Sequence, residues 1–119
     1  MAERQAAAMK ARNLLSHDVA GAFPTRLAES RVDTWKAAEN IGGGYMSLGE
    51  AMAGWRESPA HDANLLLPEA TRFGIAIAKN PDTQYGVYWA MEVAAEPAPA
   101  TAHAAGAFMS LSGGATRPQ

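Results

Sequence analysis

The sequence predicts an α+β fold, and three observations carry that expectation. An alanine-rich helical segment opens the chain, two helix-start signals lie between residues 47 and 59, and two runs of alternating apolar residues follow residue 72. The 119 residues suffice for one core but not for two, and an apolar content of 48% is ordinary for a folded domain.

Residues 2–15 read as a helix, because Ala6, Ala7, Ala8, Met9, Arg12 and Leu14 are strong helix formers. Ser16-His17-Asp18 ends it. Phe23-Pro24 reads as a break, with a short helix over residues 25–30. Ala37-Ala38 then leads into Glu39-Asn40-Ile41, and Gly42-Gly43-Gly44 lets the chain turn sharply. Ser47-Leu48-Gly49-Glu50 has the form of a capping box: Ser47 accepts from the Glu50 amide and Glu50 reaches back to the Ser47 amide. Leu48, Ala51, Met52 and Trp55 give that helix one apolar face, ending near Glu57.

Ser58-Pro59 restarts the helix, with Ser58 as cap and Pro59 at the first helical position, where a missing donor costs nothing. His61 is then the third residue in. It lies near the positive end of the helix dipole, which favours the neutral ring that a metal needs. Phe73, Ile75 and Ile77 alternate with small residues. After the Asn80-Pro81-Asp82 turn, Val87, Trp89, Met91 and Val93 alternate again, so the two runs form an antiparallel hairpin. Residues 1–96 are expected to form the domain and 97–119, rich in Ala, Pro and Gly, a flexible tail.

Several functions are excluded or unsupported. Net charge is −2 with dispersed Lys and Arg, so no cationic face for nucleic acid is apparent. No apolar run approaches the roughly 20 residues that span a bilayer, and the first residues lack a signal peptide's apolar core. With no cysteine, any metal has to be held by His and carboxylate. The glycine run is not a phosphate loop, because no Lys-Ser/Thr follows it.

The ordered set Leu15-Ser16-His17, Glu39-Asn40-Ile41 with glycines, Ser47-x-x-Glu50-Ala51-x-x-x-Trp55-x-x-Ser58-Pro59-x-His61-x-x-Asn64-x-Leu66, Phe73-Gly74-Ile75 and Tyr88-Trp89 resembles the bacterial branch of the CAP superfamily. That superfamily comprises the cysteine-rich secretory proteins, antigen 5 and pathogenesis-related proteins, also called SCP-like extracellular domains. The resemblance implies an α-β-α sandwich around a small antiparallel sheet. It also implies a cleft in which His17, Glu39 and His61 meet as a site for a divalent metal, zinc or calcium, with Asn40, Ser58, Asn64 and Trp89 lining the cleft. Where eukaryotic members carry a second glutamate this chain has Ser58, and an earlier helix of the family is expected to be trimmed from it.

The function implied is a secreted, extracellular or periplasmic module, more a binder than an enzyme. Its partner would be a lipid, a sterol, an envelope component or a protein. The rival is a metal-dependent hydrolase in which His17, Glu39 and His61 activate a water, with Glu39 as ligand or general base. A third reading makes the polar cluster purely structural. In that reading Asn40 and Asn64 bond backbone, Ser58 is only a cap, and Trp89 belongs to core and cleft wall.

Overall fold

Both alternating runs become strands, and each is longer than the pattern that announced it. The computed structural model describes residues 1–97 in full and the backbone of residues 107–111. Strand β2 covers Ala70–Lys79 and strand β3 covers Val87–Ala95, paired antiparallel as the sequence predicts, with Ile75 opposite Met91 and Ile77 opposite Trp89.

A third strand was not expected. Lys36–Gly43 forms β1, antiparallel to β3 with Glu39 opposite Glu92 and Ile41 opposite Ala90. Its Lys-Ala-Ala-Glu-Asn-Ile-Gly-Gly sequence has little strand preference of its own. Pairing on both sides makes it a strand, since Ala107–Leu111 runs parallel along its other edge as β4. The sheet order is β2-β3-β1-β4.

β4 adds to the antiparallel set β2, β3 and β1 that the sequence predicts in part. It runs parallel along β1's outer edge and lies within the 97–119 segment expected to be a tail. The rest of that segment, 98–106 and 112–119, lies outside the described residues.

Helices cover both faces of the sheet. On one side lie α1 (Ala2–Arg12) and α2 (Phe23–Glu29): Ala6 and Met9 pack on Ile41, Tyr88 and Ala90, while Phe23 and Leu27 pack on Ala37 and Ala94. On the other lie α3 (Leu48–Glu57) and α4 (Pro59–Leu65), where Ala51 and Trp55 join Trp89, Met91 and Val93. Both large rings find a polar partner: Trp55 Nε1 donates to the Ile41 carbonyl at 2.9 Å and Trp89 Nε1 to that of Tyr45 at 2.8 Å.

Local chemistry explains the revised boundaries. α1 stops three residues short of the expected end because Asn13 takes the left-handed conformation, φ 52°, that Asn tolerates. The Asn13 side-chain oxygen accepts from the Gln84 amide and the Tyr88 hydroxyl, tying the helix end to the hairpin loop. Phe23-Pro24 starts α2 where a break was expected, since a proline in the first turn removes a donor that has no helical partner anyway. In the glycine run only Gly44 has positive φ, 89°, while Gly42 and Gly43 belong to β1.

Candidate functional site

The first end of the polar cluster is set by β1. Its odd positions face α1 and α2, so Glu39 points into the layer where Arg26 of α2 and His17 of the α1–α2 connection converge. Arg26 Nη1 and Nη2 donate to the two Glu39 oxygens at 2.8 and 2.7 Å, and His17 Nδ1 lies 2.7 Å from Oε1, where its N–H donates to the carboxylate. The remaining Arg26 donors hold backbone: Nε donates to the Gly21 carbonyl and Nη2 also to that of His17, at 2.7 and 2.8 Å. Arg26 and Glu39 are both fully buried. Burial works to raise the Glu39 pKa, but the hydrogen bonds from His17 and Arg26 more than offset it and hold the carboxyl down at about 2.

Directly across the β1–β3 ladder sits a second acid, Glu92. It is also buried, and its carboxyl is hydrogen-bonded to that of Glu39. Its closest ion-pair contact is Arg26 Nη1, 3.9 Å from Oε2. Burial first, and then the neighbouring Glu39 carboxylate, push it up to about 10, against the pull of the Arg26 charge. At neutral pH Glu92 is therefore the neutral acid and Glu39 the carboxylate.

The second end of the cluster lies under the other face of β1. The Ser47 hydroxyl accepts from the Glu50 amide at 3.1 Å, as a capping box requires, and the Glu50 carboxylate reaches back to accept from the Met46 amide at 2.9 Å. Ser58 departs from expectation. It occupies the cap position of α4, yet its hydroxyl makes no cap bond and instead shares a 2.7 Å hydrogen bond with His61 Nδ1. Asn40 Nδ2 donates to the His61 carbonyl at 3.0 Å, and Asn64 Nδ2 to Asn40 Oδ1 at 2.9 Å, which pins α4 to β1.

His17 and Glu39 are thus brought into direct contact, while the His61 carbonyl accepts from Asn40 of the Glu39 strand and its ring nitrogen bonds Ser58. Asn40, Asn64 and Trp89 are buried in the packing between α4, α3 and the sheet. Among the described residues, no group of three or more His, Cys, Asp or Glu is disposed to hold a metal ion. With both oxygens engaged, Glu39 has no vacant position for one, so the residues present do not fit a metal held by His17, Glu39 and His61.

Sequence reasoning missed Arg26 and Glu92. A signal for Glu92 existed: on its face of β3 it follows Tyr88 and Ala90 and precedes Ala94, a charge in an otherwise apolar row. For Arg26 there was none beyond a lone arginine in a short helix.

A cavity of about 460 Å³ opens between α3, α4 and the β2–β3 hairpin, lined mainly by Leu48, Met52, Leu65, Phe73, Ile75 and Met91, with Thr71 and Arg72 as its polar members. The His17–Glu39 pair and His61 do not line it.

Residues 1–93 match the family model of the cysteine-rich secretory protein family, CAP, over more than half the chain. The chain belongs to the CAP family. This CAP chain is also 35% identical over 78 residues to an uncharacterized membrane protein, YlbC, of Bacillus subtilis strain 168, an alignment that covers 64% of the chain and 22% of that relative. It therefore spans about a fifth of that relative's length. No solved structure matches the CAP chain. No helix among its described residues is long and apolar enough to cross a membrane.

Proposed function

We propose that this CAP chain is a non-catalytic binding module of the family's bacterial type, working outside the cytoplasm, whose ligand is a small apolar molecule such as a lipid or sterol. Its flanked sheet is read as the family's α-β-α sandwich. The observation that carries the reading is the cavity of about 460 Å³ over the α3–α4 face, within the range of roughly 300–1,000 Å³ typical of ligand sites. Its walls are aliphatic and aromatic. Phe73 at its edge is 78% exposed, an aromatic surface that a ligand would cover. Arg72 and Thr71 supply the few polar groups that fix the orientation of an amphipathic guest.

The hydrolase reading draws less support. A carboxyl held near 2 and pinned by Arg26 is a poor general base at neutral pH, and its oxygens are engaged. The His17–Glu39–Arg26 set is read as a structural clamp, with His61 and the asparagines fixing α4.

Titration with fatty acids, sterols and envelope lipid extracts tests the reading. Saturable binding that is lost in Met52→Trp, which fills the cavity, is the expected result. No saturable binding by any of the three classes would count against it. Zinc or calcium binding that disappears in His61→Ala would turn the choice to the hydrolase.

A further inference from the structure

We propose that the outer edge of β2 is a self-association surface, to which a second copy of this chain adds its own β2 in antiparallel pairing. β2 ends the sheet, and no strand is paired beyond it among the described residues. Apolar side chains line this edge: Phe73 is 78% exposed and Ile77 41% exposed, on the face they share with Ile75.

The hairpin register shows which backbone groups are open. Just past the Lys79–Val87 pair, the Asn80 amide donates to the Gly86 carbonyl at 2.9 Å. Opposed residues of an antiparallel pair alternate between bonded and unbonded. Ala78, Ala76 and Gly74 therefore bond to β3, whereas Lys79, Ile77, Ile75 and Phe73 turn their amides and carbonyls away from it. The Val87 carbonyl agrees, since it accepts from the Gly44 amide on the β1 side. A row of open donors and acceptors thus carries exposed apolar side chains, the form of edge that pairs with another strand.

A second copy fits because the row is complementary to itself. Place Ile75 opposite Ile75 of the second copy across a two-fold axis, and Phe73 falls opposite Ile77 of that copy. Outward groups then meet outward groups and exchange about six main-chain hydrogen bonds. The aromatic and β-branched side chains form a favourable cross-strand pair. Arg72 falls opposite Ala78, so no like charges are opposed, and Lys79 comes alongside the turn that carries Glu69 of the second copy. A slide of two residues would set Phe73 against Lys79, or Ile77 against Thr71, where β2 has its bulge. The ends of the strand thereby fix the alignment. The contact uses up the β2 edge of both copies, so the assembly closes as a dimer. It is independent of any guest in the α3–α4 cavity, although Phe73 borders both.

The test is sedimentation and amide hydrogen exchange of the ligand-free 119-residue chain. Concentrations run from about 10 μM to about 1 mM, the range in which so small an interface associates. A concentration-dependent dimer is expected, with the amides of Phe73, Ile75 and Ile77 gaining protection as it forms and those of Gly74 and Ala76 protected throughout. In a mixture of labelled and unlabelled copies, nuclear Overhauser contacts are expected between Phe73 of one copy and Ile77 of the other. Phe73→Lys alters a side chain already in solvent, so it is expected to keep the fold and weaken dimerisation by about tenfold or more. The proposal is overturned by a chain that stays monomeric at the highest concentration, or by a dimer whose Phe73, Ile75 and Ile77 amides exchange as in the monomer. Phe73→Lys dimerising as tightly as the native chain overturns it too. So does protection of these amides in the dilute monomer, since a segment of the same chain would then hold the edge.

Discussion

Arg26 and Glu39 meet as a two-pronged pair, guanidinium against carboxylate at 2.7 and 2.8 Å, with both side chains out of reach of water. Such a pair joins α2 to the sheet and leaves each partner dependent on the other, because a charge abandoned in the interior has no solvent to fall back on.

Removing only the cation exposes that dependence. Arg26→Met is expected to lower stability in urea denaturation by about 3–5 kcal/mol, since Glu39 is left buried without its guanidinium. Arg26→Lys should rescue little, because an ammonium cannot reproduce the planar fork. Arg26→Met with Glu39→Leu should recover much of the loss, and a strictly additive double variant would show that the pair is not coupled.

The two acids set opposite limbs of the pH dependence. Glu39 is lowered from 4.5 to about 2, so its contribution is complete above 4.5 and disappears as pH falls toward 2. Glu92 is raised from 4.5 to about 10, so its contribution is complete below 4.5 and disappears as pH rises toward 10. Stability should peak near the ordinary glutamate pKa and decline on both sides, by at most about 1.4 kcal/mol per pH unit for each group. Thermal melts across this span check it. Glu92→Gln should flatten the alkaline limb, and an unchanged slope in that variant would assign the limb to other groups.

The two serines that start helices should behave differently on truncation. Ser47→Ala removes a true cap bond and should cost about 1 kcal/mol in thermal unfolding. Ser58→Ala removes no cap bond, but it takes away the hydroxyl on His61 Nδ1, so its signature is a changed ring nitrogen signal for His61. If the His61 nitrogens do not respond, that hydrogen bond is not formed in solution.

Gly43 is required by a close approach. A Cβ there would lie 2.7 Å from Cγ of Tyr85, whose ring packs edge-on to Tyr88. Gly43→Ala is expected to destabilise by about 1–3 kcal/mol, with Tyr85 displaced. Gly49→Ala, whose nearest neighbour is the Ser47 hydroxyl at 3.9 Å, should be far milder and serves as the control in the same melts.

What the sequence made legible was local. The hairpin showed through its alternation and α3 through Ser47 and its apolar face, because those signals sit within a few residues of what they specify. β1 was hidden, since Ala, Asn and Gly acquire strand geometry there only by pairing with β3 and β4, 45 or more residues downstream. Tertiary pairing likewise concealed half the polar cluster. His17 and Glu39 stood out through motif resemblance and do touch, whereas Arg26 had no sequence signal and Glu92 only its place in an apolar row of β3. Ser58 shows how a sound local rule is overruled when a tertiary neighbour, His61, offers the hydroxyl a better partner.

Adjacent residues of β1 work on opposite sides of the sheet: Glu39 answers Arg26 on one, Asn40 answers His61 and Asn64 on the other. A strand that slid by a single position during folding would exchange them. The carboxylate would land among the aliphatic side chains under α3 and α4, and Arg26 would face an amide. Such a misaligned intermediate carries an unneutralised charge in its interior, so it should revert rapidly instead of persisting as a trap. The dipeptide Glu39-Asn40 thereby acts as a proofreading mark for the central strand, in a stretch whose alanines and glycines would otherwise tolerate several alignments.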